Sequence, residues 1–271
     1  MLKSTMKQLF FTTVFSVLVA SVFAQQSNFK RKDVEKSLVK INDSLFASKY
    51  EVTNKQYTDF LLFLKQNNMK EQLNVAQIDS ANWNKINDKE HPYVKYYHSH
   101  PAYNNYPLVN VSFEAALLYC NWLTQQYNSS KRKKYKKVKF RLPTEQEWII
   151  AAKAGDQASV YAWSGNEFKN KKGEYRCNFK GDPNNKMGNA SINSDRADIT
   201  ATVNAYWPNS FGLYNMTGNV AEMIATKGKT KGGSWLDNIE ALKIESTGEY
   251  KDGDPKRISI GFRYFMEIIE E

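Results

Sequence analysis

The segment FGLYNMTGNVAEM, residues 211–223, is the stretch on which the interpretation of this sequence depends. Its apolar residues follow neither the period of 2 that is typical of a strand nor the period of 3.6 that is typical of a helix. Two asparagines, two glycines and one glutamate lie within thirteen residues. The segment is therefore predicted to be a loop with a structural or ligand-binding purpose.

The oxygen atoms of this loop suit a hard cation. Calcium takes oxygen ligands from carboxylates, amides and backbone carbonyls. The segment offers the Asn215 amide, the carbonyls of Gly218 and Val220, and the Glu222 carboxylate. From these residues alone two interpretations stay open, a calcium site and a plain turn between two elements.

Three amphipathic helices are predicted on either side of long irregular stretches. A strand leads into the first helix, where Thr53 and Gln56 form a capping-box pattern. Ser112 is the expected N-cap of the second helix. The third helix follows the box pattern in TEQE, residues 144–147, and Gly155 is expected to end it.

The remaining segments indicate an α+β fold that is rich in loops. Residues 66–106 are polar, rich in tyrosine and irregular in pattern, and the chain beyond Gly155 alternates short strand patterns with long loops. No repeat and no interdomain linker interrupts residues 42–271, which we interpret as one domain.

The first 24 residues are predicted to be a secretory signal peptide. Lys3 and Lys7 precede an apolar run that ends near Ala24, and Gln25 follows the expected cleavage point. Residues 25–41 are polar and are expected to form a mobile leader. The sequence thus predicts an exported protein of the periplasm or cell surface, and no membrane span in the mature chain.

The formal net charge of +10 is concentrated in one place. Eight of these charges come from the lysines and arginines of residues 131–141, in the run KRKKYKKVKFR. Such a run can contact nucleic acid or another polyanion. For an exported protein we expect no nucleic acid, and we interpret the run as a solvated loop with a preference for anionic surfaces such as a glycan.

Histidines and cysteines offer little catalytic chemistry. The three histidines, His91, His98 and His100, lack a convincing set of further metal ligands nearby, and no serine-hydrolase, phosphate-loop or zinc motif is present. The carboxylates Glu145 and Glu147 are explained by helix capping and by the helix dipole.

Six segments, in this order, resemble the formylglycine-generating enzyme (sulfatase-modifying factor) family. They are YEVTNKQYTDF, PLVNVSFEAALLYCNWL, FRLPTEQEWIIAAKAG, FGLYNMTGNVAEM, KGGSW and GFRYF. The similarity covers about residues 48–265. It implies a C-type-lectin-like α+β fold with little regular structure, which agrees with the patterns above.

The resemblance also implies metal sites. In the family, the Asn-x-x-Gly-x-small-x-Glu positions of this loop bind calcium, and here they are Asn215, Gly218, Val220 and Glu222. A second family site would need Asn178 and Phe179 together with a later acid such as Asp195.

The catalytic centre implied by the resemblance is incomplete. Active members oxidise a substrate cysteine with copper, which two cysteines hold between the GGSW and GFR segments. The corresponding interval here, residues 236–260, has no cysteine, and thiolates are the soft ligands that Cu(I) prefers. No copper is therefore expected. Cys120 matches a structural cysteine whose usual partner is Tyr264 here, so it is expected to be a buried thiol.

Three functions remain. The first is an exported, non-catalytic binding or scaffold domain, because the copper cysteines are missing while the structural motifs are intact. HPAYNNYP, residues 100–107, is also similar to the gliding-motility and type IX secretion lipoproteins of Bacteroidetes, which are non-catalytic and act by protein contact. The second is an enzyme of altered mechanism near Trp235, residues 236–260 and Arg263. The third is a lectin-like domain for anionic glycans. A polar pocket near Trp235 would favour the enzyme.

Overall fold

The computed structural model describes residues 29–86, 92–180, 199–250 and 258–271, without the side chains of Lys85 and Ile86. The predicted signal peptide lies outside this range. Within it the fold is α+β, as predicted. The helices are α1 Arg31–Lys36, α2 Asn54–Gln66, α3 Lys70–Val75, α4 Pro92–Tyr96, α5 Phe113–Ser129 and α6 Glu145–Lys153, with 3₁₀ helices at Ser80–Ile86, Pro101–Tyr103 and Ile239–Leu242.

The predicted helix starts are confirmed. Thr53 caps α2 and Thr144 caps α6, each in a reciprocal capping box, and the Ser112 side chain caps α5. These caps satisfy backbone N–H groups that have no partner within the helix. Helix α6 ends with Ala154 in the left-handed conformation, one residue before the predicted Gly155.

Two sheets of short strands complete the fold. The strands are β1 Leu38–Lys40, β2 Leu45–Ser48, β3 Lys137–Arg141, β4 Ala221–Met223, β5 Lys229–Lys231, β6 Gly248–Glu249, β7 Ile260–Gly261 and β8 Phe265–Glu270. The first sheet is antiparallel, in the order β1-β2-β8-β3. The second has the order β6-β5-β4-β7, and β4 pairs with β7 in parallel.

The first sheet separates two parts of the core. Because side chains alternate along a strand, Phe140 and Met266 face the cluster formed with α2 and α5. Ala47 and Phe265 face the opposite side, where they pack with Trp148 of α6. Helices α2 and α5 therefore pack on one face of this sheet, and α6 packs on the other.

Two sequence expectations need correction. Residues 31–40, predicted as part of a mobile leader, form α1 and β1, and β1 pairs with β2 from Leu38 to Lys40. The stretch 66–106, predicted as irregular, contains α3, α4 and two 3₁₀ helices among its described residues. These helices are three to seven residues long, too short for an apolar period to identify them.

Within the described ranges, no helix combines the length and the apolar character that crossing a membrane requires.

Candidate functional site

The loop 211–223 depends on backbone conformations that few residues adopt. Asn215, Gly218 and Asn219 all have positive φ angles, of 52°, 78° and 66°. Asparagine and glycine tolerate this region better than other residues. A Cβ atom on Gly218 would lie 2.4 Å from the carbonyl oxygen of Asn178, so glycine is required there. The loop then enters β4 at Ala221.

The two loop asparagines bind a buried glutamate. The side-chain nitrogen of Asn215 donates to Oε2 of Glu51 at 3.1 Å, and that of Asn219 donates to Oε1 at 2.8 Å. Oδ1 of Asn219 accepts the backbone N–H of Ala201 at 2.8 Å. The carboxylate of Glu51, which is 1% exposed, thus ties the loop to the segment that precedes α2.

The glutamate of the loop forms a buried ion pair. Nε of Arg263 lies 2.7 Å from Oε2 of Glu222, and Nη2 lies 2.5 Å from Oε1. Nε1 of Trp148 donates to Oε2 at 2.8 Å. Arg263 also donates to the carbonyl oxygens of Ser48 and Tyr214. Arg263 and Glu222 are no more than 1% exposed, so the pair is structural.

This network holds one more carboxylate than cation. Burial raises the pKa of Glu51 to about 7; the charge of Arg263 opposes this rise and that of Glu222 adds to it. An excess buried carboxylate is costly when ionised. The network therefore supports the loop and leaves Glu51 sensitive to pH near neutrality.

The predicted calcium ligands do not fit a calcium ion well. Glu222 is the charged member of the set, and both its oxygens already accept hydrogen bonds from Arg263, with Trp148 as a further donor. The amide nitrogen of Asn215 points to Glu51. A calcium ion would compete with a guanidinium for its carboxylate. The calcium site stays a prediction that this geometry does not favour.

The second predicted set is only partly within the described residues. Asn178 is buried, and its side chain donates to the carbonyl oxygen of Ile199 at 2.8 Å. Phe179 packs on Phe168 with ring centroids 5.0 Å apart. Asp195 lies outside the described residues. Across the parts of the chain that the structure describes, no group of three or more histidines, cysteines, aspartates or glutamates is placed to hold a metal ion.

The histidines have separate local roles. Asn54 donates its amide to two carbonyl oxygens, so its Oδ1 accepts from Nδ1 of His98, which lies at 3.0 Å. Nε2 of His98 is buried without a partner, and burial lowers the pKa of His98 to about 3. His100 accepts the backbone N–H of Ala102. His91 lies outside the described residues.

The structure describes residues 236–250 and 258–260 of the interval that the family resemblance links to catalysis, and part of this segment packs on the chain itself. Trp235 is 8% exposed and donates to the carbonyl oxygen of Ile258 at 3.3 Å. The 3₁₀ helix Ile239–Leu242 packs directly on Gly233, where a Cβ atom would lie 2.7 Å from Leu242. Leu242 and Ile244 are fully buried. Trp235 is thus a core residue.

The charged side chains beside this segment, Lys231 and Glu249, already have polar partners. The side chain of Lys231 is fully buried, and its Nζ lies 3.2 Å from Glu145 and 3.3 Å from Oγ1 of Thr247. Burial lowers its pKa. An open hollow of about 310 Å³ adjoins the far end of the interval at Tyr250. Glu249 in that hollow is already paired with Lys229.

Both cysteines are buried, and neither is in a disulfide. Burial raises the pKa of Cys120 to about 12, so at neutral pH it is a thiol rather than a nucleophilic thiolate. Cys177 packs with Tyr161 and Leu242. Tyr264, at the position of the family's partner cysteine, is itself buried and lies 3.3 Å from Oγ of Ser37. The sequence prediction of a buried Cys120 thiol is confirmed.

An open groove lies on a different part of the molecule. It has a volume of about 670 Å³, and its walls come from α1, from the start of α2, from α5 and from residues 203–204. Tyr119 and Trp122 of α5 border the groove but are only 2% and 6% exposed. The partly buried Phe29 and Tyr50 present its aromatic surface. The rim carries polar and charged residues, which are Lys30, Asp33, Lys55, Gln56, Asp59, Asn105 and Asn204.

Sequence patterns did not predict this groove. Tyr119 and Trp122 are three residues apart on α5, a spacing that is typical of a core-facing helix. The last wall comes from Val203 and Asn204, about eighty residues beyond Trp122 in the chain, and packing alone brings it there.

The chain was compared with known proteins. The model of the sulfatase-modifying factor enzyme 1-like domain matches residues 13–268. The formylglycine-generating enzyme of Thermomonospora curvata is 37% identical over 124 residues, 45% of this chain and 33% of that protein. The inactive C-alpha-formylglycine-generating enzyme 2 of Bos taurus is 34% identical over 146 residues, 50% of this chain and 40% of that protein.

Solved structures share the fold at low sequence identity. The crystal structure of CarF has a TM-score of 0.56 at 22% identity and covers 85% of this chain and 93% of its own. PvdO of Pseudomonas aeruginosa has a TM-score of 0.55 at 19% identity, with 82% and 80% covered. The fold, the order of the sequence motifs and the domain match agree: the chain belongs to the family of the sulfatase-modifying factor enzyme 1-like domain.

Proposed function

We propose that this protein is a non-catalytic binding domain of the family that acts by contact with another protein. The observation that carries the proposal is the chemistry of the interval after KGGSW, residues 236–260. It has no cysteine, and among its described residues Leu242 and Ile244 are buried in the core. A site without thiolates does not support the family's copper chemistry.

The comparisons support this proposal without deciding it. The proteins that match include formylglycine-generating enzymes and also proteins named as inactive, from Bos taurus and Mus musculus. This chain spans 40% or less of the length of the first of them. The proposal therefore depends on the missing thiolates of residues 236–260 rather than on any one relative.

The groove between α1, α2 and α5 is the surface that we assign to the partner. A volume of about 670 Å³ is in the range of pockets that accept a ligand or a protruding side chain. Aromatic surface from Phe29 and Tyr50, surrounded by polar side chains, resembles the centre and rim of a protein interface. The rim holds two lysines and two aspartates. We therefore propose an apolar side chain of the partner as the anchor.

Export to the periplasm or cell surface is part of the proposal. The support is the predicted signal peptide of residues 1–24 and the resemblance of residues 100–107 to the gliding-motility and secretion proteins. An envelope protein is accordingly the proposed partner.

Site-specific photo-crosslinking tests the groove. A benzophenone amino acid replaces Asn204, which is exposed on the rim, and cells are irradiated before the envelope is analysed. We expect one crosslinked product that is absent when the same amino acid replaces the exposed Asn166. Asn204→Arg should reduce co-purification of that product, whereas Asn166→Arg should not.

An oxidation assay tests the loss of catalysis. The purified chain from residue 25 is incubated with Cu(I), oxygen and a peptide that contains a cysteine. We expect no more conversion of the thiol to aldehyde than in a protein-free control. Copper-dependent turnover would overturn the proposed function, and identical crosslinks from both positions would remove only the assignment of the groove.

A further inference from the structure

We propose that the basic strip, defined as residues 131–139, is a second binding surface that takes an anionic polysaccharide. The strip comprises the turn after α5 and the first part of β3. No residue of the strip lines the groove or belongs to residues 236–260. This second surface therefore extends the proposed function and does not depend on it.

Most cations of the strip are exposed and form no ion pair with a described carboxylate, although Glu270 lies opposite Lys137 in the sheet. Lys136 is paired with Glu270 at 3.0 Å, and Lys133 donates to the carbonyl oxygen of Asn128. In the part of the chain that the structure describes, no carboxylate forms an ion pair with the other five. These exposed cations are Lys131, Arg132, Lys134, Lys137 and Lys139.

The local structure fixes the direction of these charges. Val138 and Phe140 are 1% exposed and face the core. The alternation of a strand therefore points Lys137 and Lys139 outward, roughly 7 Å apart at their Cα atoms. The strip presents a row of cations whose backbone is held by the first sheet.

The turn that carries the remaining cations is held from several sides. The backbone N–H of Lys134 donates to Oε1 of Glu35 at 3.0 Å, and that of Tyr135 donates to the hydroxyl of Tyr127 at 3.3 Å. Tyr135 packs on Phe46 with ring centroids 5.6 Å apart. A held turn loses less conformational freedom when it binds than a free chain would.

The surroundings favour a polysaccharide over the other common polyanions. Nucleic acid bound as single strands stacks on open aromatic rings, but the aromatic ring of the strip, Tyr135, packs on Phe46 and lies under Nζ of Lys134. Membrane binding by a segment of this kind gains from apolar side chains that insert, but Val138 and Phe140 face the core. Exposed cations without stacking or insertion suit carboxylate or sulfate groups on a hydrated chain.

Binding to dextran sulfate and polygalacturonate tests the proposal, with uncharged dextran as the reference polymer. We expect the full chain from residue 25 to bind both acidic polymers, and binding to weaken as salt rises. Replacing the five unpaired cations of the strip by glutamine should weaken binding about tenfold at low salt, because each exposed contact contributes little by itself.

A matched variant distinguishes this surface from overall charge. It replaces five other exposed lysines, Lys32, Lys65, Lys70, Lys171 and Lys172, by glutamine, and we expect less than about a twofold loss. An equal loss in both variants would overturn the proposal. So would tighter binding to single-stranded RNA, or to vesicles of phosphatidylcholine and phosphatidylglycerol, than to either acidic polymer.

Discussion

At the scale of single residues, the ion pair between Glu222 and Arg263 holds the centre of the molecule. Both side chains are buried, and the arginine joins the loop to the backbone at Ser48 and Tyr214. Breaking a buried pair costs more than the pair contributes, because the remaining charge stays in a medium that solvates it poorly.

Glu222→Gln should lower the free energy of unfolding by about 3–5 kcal/mol, since it leaves the charge of Arg263 unpaired. Urea denaturation followed by tryptophan fluorescence measures this change. The matched variant is Glu114→Gln, which removes a half-exposed partner of Lys227 and should cost about 1 kcal/mol or less. Equal losses in the two variants would contradict the role assigned to Glu222.

Glu51 and His98 should have opposite effects on stability as pH changes. The folded protein raises the pKa of Glu51 from 4.5 to about 7, so it binds a proton that the unfolded chain lacks, and this contribution is lost as pH rises towards 7. The folded protein lowers the pKa of His98 from 6.5 to about 3. The contribution of His98 to stability is therefore lost as pH falls from 6.5. The two effects oppose each other between pH 4.5 and 6.5.

Glu51→Gln should therefore lose stability more steeply on acidification than the parent chain. Within pH 4.5 to 6.5 the variant lacks the compensating proton uptake, and its added slope should approach about 1.4 kcal/mol per pH unit. Denaturation at a series of pH values measures the slope. Parallel profiles for parent and variant would show that Glu51 titrates near its ordinary pKa.

Calcium gives a further test of Glu222. Because Arg263 already occupies its carboxylate, we expect calcium or a chelator to shift the melting temperature of the parent chain by less than about 1 °C. A larger rise that depends on calcium concentration would show binding to the folded state. If Glu222→Gln abolished such a rise, the calcium prediction for the loop would stand.

At the scale of elements, the end of α6 stores a small amount of strain. Ala154 is its C-cap, with φ 47° and ψ 42° in the left-handed region, where a Cβ atom is unfavourable by about 1 kcal/mol. Gly155 follows with φ 92°. The helix thus ends through two consecutive left-handed residues, and only the second is a glycine.

Ala154→Gly should raise stability by up to about 1 kcal/mol, because glycine adopts this conformation without a steric penalty. For a protein of this size the melting temperature should rise by roughly 2–4 °C, as differential scanning calorimetry can measure. Ala152→Gly, a buried helical position in the same element, serves as the control and should be destabilising. A lower melting temperature for Ala154→Gly would contradict the inferred strain.

At the scale of the whole molecule, the segment before residue 42 is part of the domain. Strand β1 covers the edge of β2, Ser37 lies beside the hydroxyl of Tyr264, and Glu35 accepts the hydroxyl of Tyr127 at 2.9 Å. α1 also forms one wall of the groove. Stability and the proposed binding surface therefore both depend on it.

A chain that begins at residue 42 should be less stable than one that begins at residue 25. The loss of strand pairing and two side-chain hydrogen bonds should cost at least about 2 kcal/mol, or roughly 4–8 °C in melting temperature. The uncovered edge of β2 should also promote association. Calorimetry and size-exclusion chromatography measure both effects. Equal melting temperatures would restore the interpretation of a mobile leader.

The features that depend on neighbours in sequence could be predicted. The capping boxes at Thr53 and Thr144 and the cap at Ser112 are contacts within four residues, so the pattern contains all their partners. The absence of cysteine from residues 236–260 is likewise a property of the sequence. The α+β class and the family followed from the order of such local motifs.

Contacts between distant segments could not be predicted in this way. The partner of Glu222 lies 41 residues along the chain and that of Asn219 lies 168 residues before it, so a loop that offers calcium ligands in sequence has its carboxylate neutralised by an arginine. The groove likewise arises when packing brings remote segments together. The sequence by itself thus determined the helix ends, the family and the missing thiolates. Only the tertiary structure decided which polar groups are already paired and where an open surface remains, because burial and ionic partners depend on three-dimensional packing.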